Sequence, residues 1–501
     1  MFRLALVAAL CLFSLIACGY PSNKPATAKP QLSLSAHSST LTSAFDKHEL
    51  EARFAPILHL HPQELYVPMD PEMYFERSED QRDESFFQSS RAHYLKGNQG
   101  RTITHVSDDG RHIQYWIFSP KNGCQGGRLR YRVQGPIKIG QLGETKRSLE
   151  LCSLSIHEGD WENITLQLSS DFTHVEAAYL SAHGHGNWIP ASALEFKDAR
   201  PYFYEALNSH AFYAKDIGFH SETTISQAML NGLLGIEWFQ VGDIISGQTS
   251  VQKNPPDGPH VIEFDTQRAL LDYDDIKNTA MKVFNDDWGK TVNAKTILDV
   301  PELSAGPIEG ILKIALNIAL MTPELKDLST GKSPPSPWAR DAWRDFDDQF
   351  SIGGGLTFDP QVGGEGGLAF SDYATLRKGE GFHVKEIWLR SGDRIDRVCI
   401  VLDETGEMCH GGGGGKDKHL ILEDGEYIQS TEFAFGPKSG TVRVFGIKFT
   451  TSQGRTLEGG KWTSDAIVQT APKGMQLVGW YGNTGAEVDN LGSIYGTLPL
   501  H

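Results

Sequence analysis

Residues 155–168 read SIHEGDWENITLQL, which sets His157, Asp160 and Glu162 directly in front of an alternating, strand-like run. In a β-strand successive side chains point to opposite faces, so Ile164, Leu166 and Leu168 share one face and Asn163, Thr165 and Gln167 share the other. Asp160 and Glu162 then fall on the apolar face and Trp161 on the polar one. A carboxylate buried without a partner either takes up a proton or destabilises the fold. A divalent cation is the simplest way to keep an imidazole and two carboxylates together, ionised and dry. Carboxylate-rich sets suit magnesium, calcium or manganese, and an imidazole shifts the preference toward manganese or zinc. His183 and His185 in LSAHGHGNWI, and His210 in ALNSHAFY, are further donors. Either stretch could complete the coordination sphere, and His183 or His210 could serve as general base to a metal-activated water. The same two acids could instead cap turns or pair with Arg128, Arg130 or Arg132, and spacing alone leaves both readings open.

The elements that must position these groups follow from composition and pattern. At 501 residues the chain exceeds one ordinary core, so two domains or more are expected. A net charge of −17 argues against a nucleic-acid partner and against simple electrostatic attachment to anionic lipid. Fifty-two glycines and many short alternating runs point to all-β architecture. HIQYWIFSP, ENITLQL, HVEAAYL and RPYFYEAL are the clearest strands of the first half. GPIEGILKIALNIALM (306–321) reads as a buried helix, and STGKSPPSPWARDAW after it as an inter-domain connection. From about Ser351 glycine clusters alternate with strands such as HVKEIWLRSG and VRVFGIKFTT, which marks a separate all-β domain.

The N-terminus, MFRLALVAALCLFSLIAC, has an early arginine and an apolar stretch too short and wrongly flanked for a transmembrane helix, as an export signal has. Its LIAC run, ending at Cys18, resembles the lipobox of bacterial lipoproteins, which implies a lipidated Cys18; the alternative is a cysteine buried as an ordinary apolar residue. Residues 19–50 are polar and proline-bearing, as in a flexible tether. Four cysteines remain in the body: Cys124, Cys152, Cys399 and Cys409. In an exported protein an even number suggests two disulfides, with four buried thiols as the alternative. Cys399 and Cys409 flank IVLDETGEM, a hairpin-like stretch suited to a cross-strand bond.

FAPILHLHPQELYVPMD, YWIFSPKNG, HEGDWENITLQL, AHGHGNWIPASALEF and ALNSHAFY occur in the order seen in the vacuolar protein sorting-associated protein 62 family, and the resemblance spans about residues 54–290. H-x-x-D-W-E also resembles the heptapeptide of the necrosis- and ethylene-inducing-like cytolysins. That likeness implies a β-sandwich in which His157, Asp160 and Glu162 hold a divalent metal. Gly159 stands where the cytolysin motif has a second histidine, and Glu150 lies near the place of its upstream aspartate.

VGGEGGLAFSD, VKEIWLRSGDRID, CHGGGGGKDKHLILEDGEYI and GWYGNTGAEVDNLGSIYG resemble a jacalin-like lectin over nearly all of residues 351–501. The resemblance implies a three-sheet β-prism with a sugar site built from Gly364 in the first glycine loop and from Gly485 and Asp489 in a G-x-x-x-D loop. Glycine lets the backbone approach sugar hydroxyls, and an aspartate accepts two of them. Ala486 and Glu487 stand where relatives often carry an aromatic residue. A prism kept only as a scaffold is the alternative.

The expected protein is therefore mainly β. A signal peptide (1–18) and tether (19–50) precede a β-sandwich with a few helices (51–325). A linker (326–350) joins that to a jacalin-like β-prism (351–501). The function expected is that of a membrane-anchored lipoprotein of the bacterial envelope, at the outer membrane or cell surface. It would bind carbohydrate or a glycoconjugate and carry a divalent metal (Mg, Ca, Mn or Zn), recognising or acting on a membrane or glycan surface in the manner of a toxin or effector. A metal-dependent hydrolase and a non-catalytic adhesion protein are the rival readings.

Overall fold

The alternating run of the motif forms β4 of a large antiparallel sheet, and its neighbours explain why both faces are buried. In chain order the elements that matter are α1 (Lys47–Phe54), β1 (Ile57–Leu60), β2 (Thr102–Val106), β3 (His112–Asn122), β4 (His157–Leu168), β5 (Val175–Ala182), β6 (Arg200–Glu205) and β7 (Ile262–Asp265). This computed structural model describes residues 45–123, 127–133, 145–151, 156–182, 185–217, 219–224, 236–245, 262–290, 333–344, 346, 355–364, 367–376, 381–438 and 441–499. Cys18, Cys124, Cys152, His183 and the helix expected at 306–321 lie outside those residues, as do the side chains of Arg128, Arg130 and Arg132.

One sheet runs Leu270–Asp272, β2, β3, β4, β5, His185–Pro190; the facing one runs Phe212–Tyr213, β6, β1, β7, with Glu195–Lys197 paired to β6. β3 and β4 are in antiparallel register with Tyr115 opposite Ile164 and Ser119 opposite Asp160. Ile164, Leu166 and Leu168 pack with Ile113, Tyr115, Leu58 and Phe203 in the core between the sheets. Face parity is as the alternation requires, but the opposite face is not a solvated one. Trp116, Phe118 and Trp161 lie there in a second, aromatic core with Tyr74, Trp288, Trp338 and Trp343, and Asn163 and Thr165 are buried too. The cover comes from distant segments. Residues 333–344, within the expected linker, dock as a strap: Trp338 Nε1 donates to the Phe284 carbonyl at 2.7 Å, and Gln114 Nε2 donates to the Ala342 carbonyl at 2.5 Å. At the other end, α1 begins inside the expected tether, because Asp46 caps it by accepting from His48 N and Glu49 N and because Leu50 and Phe54 reach the core.

The C-terminal part is three antiparallel sheets around one apolar interior. Its elements include β8 (Val384–Ser391), β9 (Ile395–Leu402), β10 (Gly406–Gly411), β11 (Lys416–Ile421), β12 (Ile428–Lys438), β13 (Thr441–Thr451), β14 (Met475–Thr484) and β15 (Val488–Thr497). Ile387, Val398, Phe433, Ile447, Trp480 and Ile494 fill the interior, one or more from each sheet. Cys399 of β9 faces Cys409 of β10 in register, and the two are bonded, as the hairpin spacing suggested. The sandwich and this prism belong to one contiguous unit, Phe45–His501. They meet at an apolar seam that includes Phe212, Ile217, Leu356, Phe358 and Tyr373, bordered by a 2.7 Å ion pair from Lys215 to Asp359.

Candidate metal centre and glycine-loop site

The motif histidine and acids lie where β4 enters the sandwich. Gly159 takes φ +66° there, and a Cβ on it would stand 2.9 Å from the Trp288 Cβ, so the backbone turns sharply under the aromatic core. The turn brings His157 Nε2 to 3.9 Å from Asp160 Oδ1. Glu162 takes a different partner: the Ser181 hydroxyl on β5 donates to its carboxylate. Arg340, half-buried in the strap, donates to the Trp161 carbonyl and adds positive charge beside Asp160 and Glu162.

The facing sheet completes the cluster. β1 and β6 run parallel, with Leu60 beside Glu205, so the loops leaving both strands emerge at one end. Beyond β6 the chain closes a tight turn, Ala206 N to Ala211 O, with Asn208 and His210 both at positive φ (+57° and +58°). That turn drives His210 inward. Its Nδ1 sits 2.9 Å from Asp160 Oδ2 and its Nε2 sits 3.8 Å from Glu64 Oε1. Glu64 is fixed in turn by the N–H groups of Tyr66 (2.7 Å) and Asn208 (2.6 Å).

Burial disfavours every charge here, and the partners decide the outcome. Burial opposes ionisation of Asp160, but His210 and His157 hold its carboxyl below the usual range. Burial likewise opposes ionisation of Glu64, and His210 brings it down. Burial would keep His210 neutral, yet Asp160 and Glu64 raise it well above the ordinary imidazole value. For His157 burial wins and the value falls. Glu205 is the exception among the acids: burial and the neighbouring carboxylates push it far up, and neither oxygen has a hydrogen-bond partner among the described residues.

Glu64, Glu205 and His210 each offer a donor atom, and the three atoms lie within 4.8 Å of one another. A divalent cation fits this set. It would supply the positive charge that Glu205 lacks, and oxygen and nitrogen donors of this kind suit magnesium, manganese or zinc. A cluster able to hold a divalent metal is thus present in this domain, but its converging donors are His210 and two acids that the spacing did not single out, and the expected ligands His157, Asp160 and Glu162 are not among the three. Both acids lie in quoted stretches, Glu64 in HLHPQEL and Glu205 ending the run RPYFYE; an acid closing an apolar strand was the available signal. Of the other close groups, His48, Glu51 and Asp272 include an acid already paired with Lys47, whose Nζ is 2.8 Å from Asp272, and Cys399, Glu407 and Cys409 include the disulfide.

At one end of the prism the three residues expected to meet a sugar do come together. Gly364 N donates to the Asp489 carbonyl at 3.0 Å, and Asn490 Nδ2 donates to the Gly364 carbonyl at 2.7 Å. Gly485 N donates to the Glu487 carbonyl at 2.8 Å, closing the G-x-x-x-D turn. Asp489 is 1% exposed, and the guanidinium of Arg443 in β13 lies beside it. Glu487 accepts from Arg394 Nε at 2.7 Å and Lys438 Nζ at 2.9 Å, which hold its carboxyl down to about 2.

Comparison with known proteins follows this division. Residues 93–223 match the family described as vacuolar protein sorting-associated protein 62, and residues 360–494 match the jacalin-like lectin domain. The chain is 30% identical over 146 residues to secreted RxLR effector protein 19 of Plasmopara viticola, covering 28% of this chain and 79% of that protein. It is 33% identical over 116 residues to jacalin-related lectin 22 of Arabidopsis thaliana, covering 22% of this chain and 25% of that protein. Among solved structures, Malaysian banana lectin is 24% identical over 28% of this chain and 99% of its own, with a TM-score of 0.26. A jacalin-related lectin from Ananas comosus is 22% identical over 29% of this chain and 99% of its own, with a TM-score of 0.25.

Proposed function

The chain belongs to one family with the secreted RxLR effector protein 19 of Plasmopara viticola, and from that premise we propose that it is an exported, effector-like protein that attaches to glycoconjugate surfaces. The observation that carries this reading is the loop end of the prism, where Gly364, Gly485 and Asp489 meet as a jacalin-like sugar site requires. The β-sandwich contributes a second property, a divalent cation held by Glu64, Glu205 and His210. Bound there, the cation would neutralise the carboxylates and lend Lewis acidity, while His210 and Asp160 orient one another.

Export through the N-terminal signal, with Cys18 lipidated, would place the protein at the membrane surface of the cell envelope with the lectin facing outward. The tether would let the lectin search a neighbouring surface. Hydrolysis is the less favoured role, because His210 is enclosed by Asp160 and Glu64 and is 2% exposed.

The test is a glycan array on the purified chain, run beside Asp489→Ala. Binding to a defined glycan class that Asp489→Ala removes supports the reading. Binding that survives in the folded variant moves the site elsewhere, and no binding to any glycan overturns it.

A further inference from the structure

Gly485, Ala486 and Glu487 connect β14 to β15 and form the outer part of the G-x-x-x-D turn. Gly485 and Ala486 are exposed, and a Cβ on Gly485 would meet nothing nearer than 3.7 Å. Val488 and Asp489 are buried, so the turn is anchored on one side and thinly packed on the other. Glu487 ties down the thin side. Arg394, between β8 and β9, donates through Nε to Glu487 Oε2 at 2.7 Å and through a terminal nitrogen to Oε1. Lys438, the last residue of β12, lies 2.9 and 3.1 Å from the same two oxygens. β8 and β9 belong to one sheet of the prism, β12 to the second, and β14 and β15 to the third. One carboxylate in the turn is thus held by a cation from each of the other two sheets.

We propose that Glu487 is a positioning residue of the lectin site, a clamp through Arg394 and Lys438 that keeps the Gly485–Asp489 turn in its binding shape before a sugar arrives. This rests on the carbohydrate reading above. The glycines set the shape of the turn, and the clamp keeps it. A turn ordered in advance presents its backbone groups without first having to be ordered by the ligand, and affinity rises accordingly. An aromatic residue at this place would add affinity by stacking; Glu487 adds it by order. Its carboxyl is held down to about 2, so the clamp stays closed through neutral and mildly acidic pH. Salt is the agent that loosens it, because the pairs stand partly exposed at the rim.

The experiment titrates methyl α-mannoside, methyl α-glucoside and methyl α-galactoside calorimetrically into the full chain and follows whichever of them Asp489→Ala no longer binds. Glu487→Gln, its fold confirmed by a melting curve, should bind that sugar about three- to tenfold more weakly, the size two rim pairs allow. Raising sodium chloride from about 0.05 M to about 1 M should weaken the parent toward the level of the variant, although the sugar is neutral. The variant should not respond to salt, and adding Arg394→Gln to it should cost nothing further. A merely structural role would lower the melting temperature and leave the affinity of the folded protein and its salt response unmoved. Equal affinity in the folded Gln variant, or a parent indifferent to salt, overturns the clamp alone. If none of the sugars binds in an Asp489-dependent way, the carbohydrate reading falls and the clamp with it. Should Glu487→Gln not fold, Arg394→Gln combined with Lys438→Gln takes its place with the same expected loss, and equal affinity there overturns the clamp.

Discussion

The two charged regions of this molecule solve the same problem in opposite ways. In the sandwich, Asp160, Glu64, Glu205 and His210 are all nearly inaccessible, and each depends on the others for its charge state. In the prism, Glu487 and its partners Arg394 and Lys438 stay at the rim, and backbone geometry at glycines does the positioning. Interior charge is costly to strand, whereas rim charge is screened by water and worth little to stability. The interior site is therefore bound up with folding, while the rim site can change its side chains and alter recognition without endangering the fold.

The sharpest way to break this contrast is Asp160→Asn. It removes one of the two carboxylates that hold His210 charged, and loss of one partner from a buried pair costs about 3–5 kcal/mol. A urea titration should show that loss; a change below about 1 kcal/mol, the size of an exposed pair, would erase the distinction between the two regions. Metal removal comes next. A cation in hundredfold excess over its dissociation constant stabilises the folded state by about 2.7 kcal/mol, so a chelator should lower the melting temperature by that equivalent. Glu205→Gln should make the protein indifferent to chelator, and elemental analysis should find the ion in the parent only. A parent that melts identically with and without chelator removes the metal from the site.

Smaller effects probe the prism. Gly367 has φ +68° and faces Asp489 and the Thr484 backbone, so Gly367→Ala should cost about 1–2 kcal/mol for the left-handed backbone plus whatever the collision adds. Its melting curve checks the cost, and unaltered stability would show that the loop can rearrange. The smallest effect concerns Glu487, whose carboxyl is held down to about 2 by Arg394, against its burial, and by Lys438. A depressed folded value means that its stabilisation is complete above the ordinary glutamate value of about 4.3 and fades as pH falls toward 2. Stability of the parent minus that of Glu487→Gln should therefore shrink over that interval, and a constant difference would contradict the ion pairs.

The alternation of β4 and the glycine clusters of the C-terminal half carried the β architecture, the split of side chains between faces and the Cys399–Cys409 pairing, because these depend on neighbours only a few residues apart. The meeting of Gly364, Gly485 and Asp489 was expected from the resemblance to jacalin-like lectins, since glycine spacing by itself reports turns and not a site. The metal centre was legible only in part. Asp160 and His210 stood out as chemistry-bearing residues, but their union with Glu64 and Glu205 depends on β1 and β6 lying parallel, two strands far apart in sequence. The aromatic cover over Trp161 and the placement of Arg340 were equally hidden, since both come from a strap beyond residue 330. Local pattern determines which face a side chain takes and where the chain turns; which charge it meets is decided when distant segments close over it, since burial, not spacing, sets the strength of an ion pair.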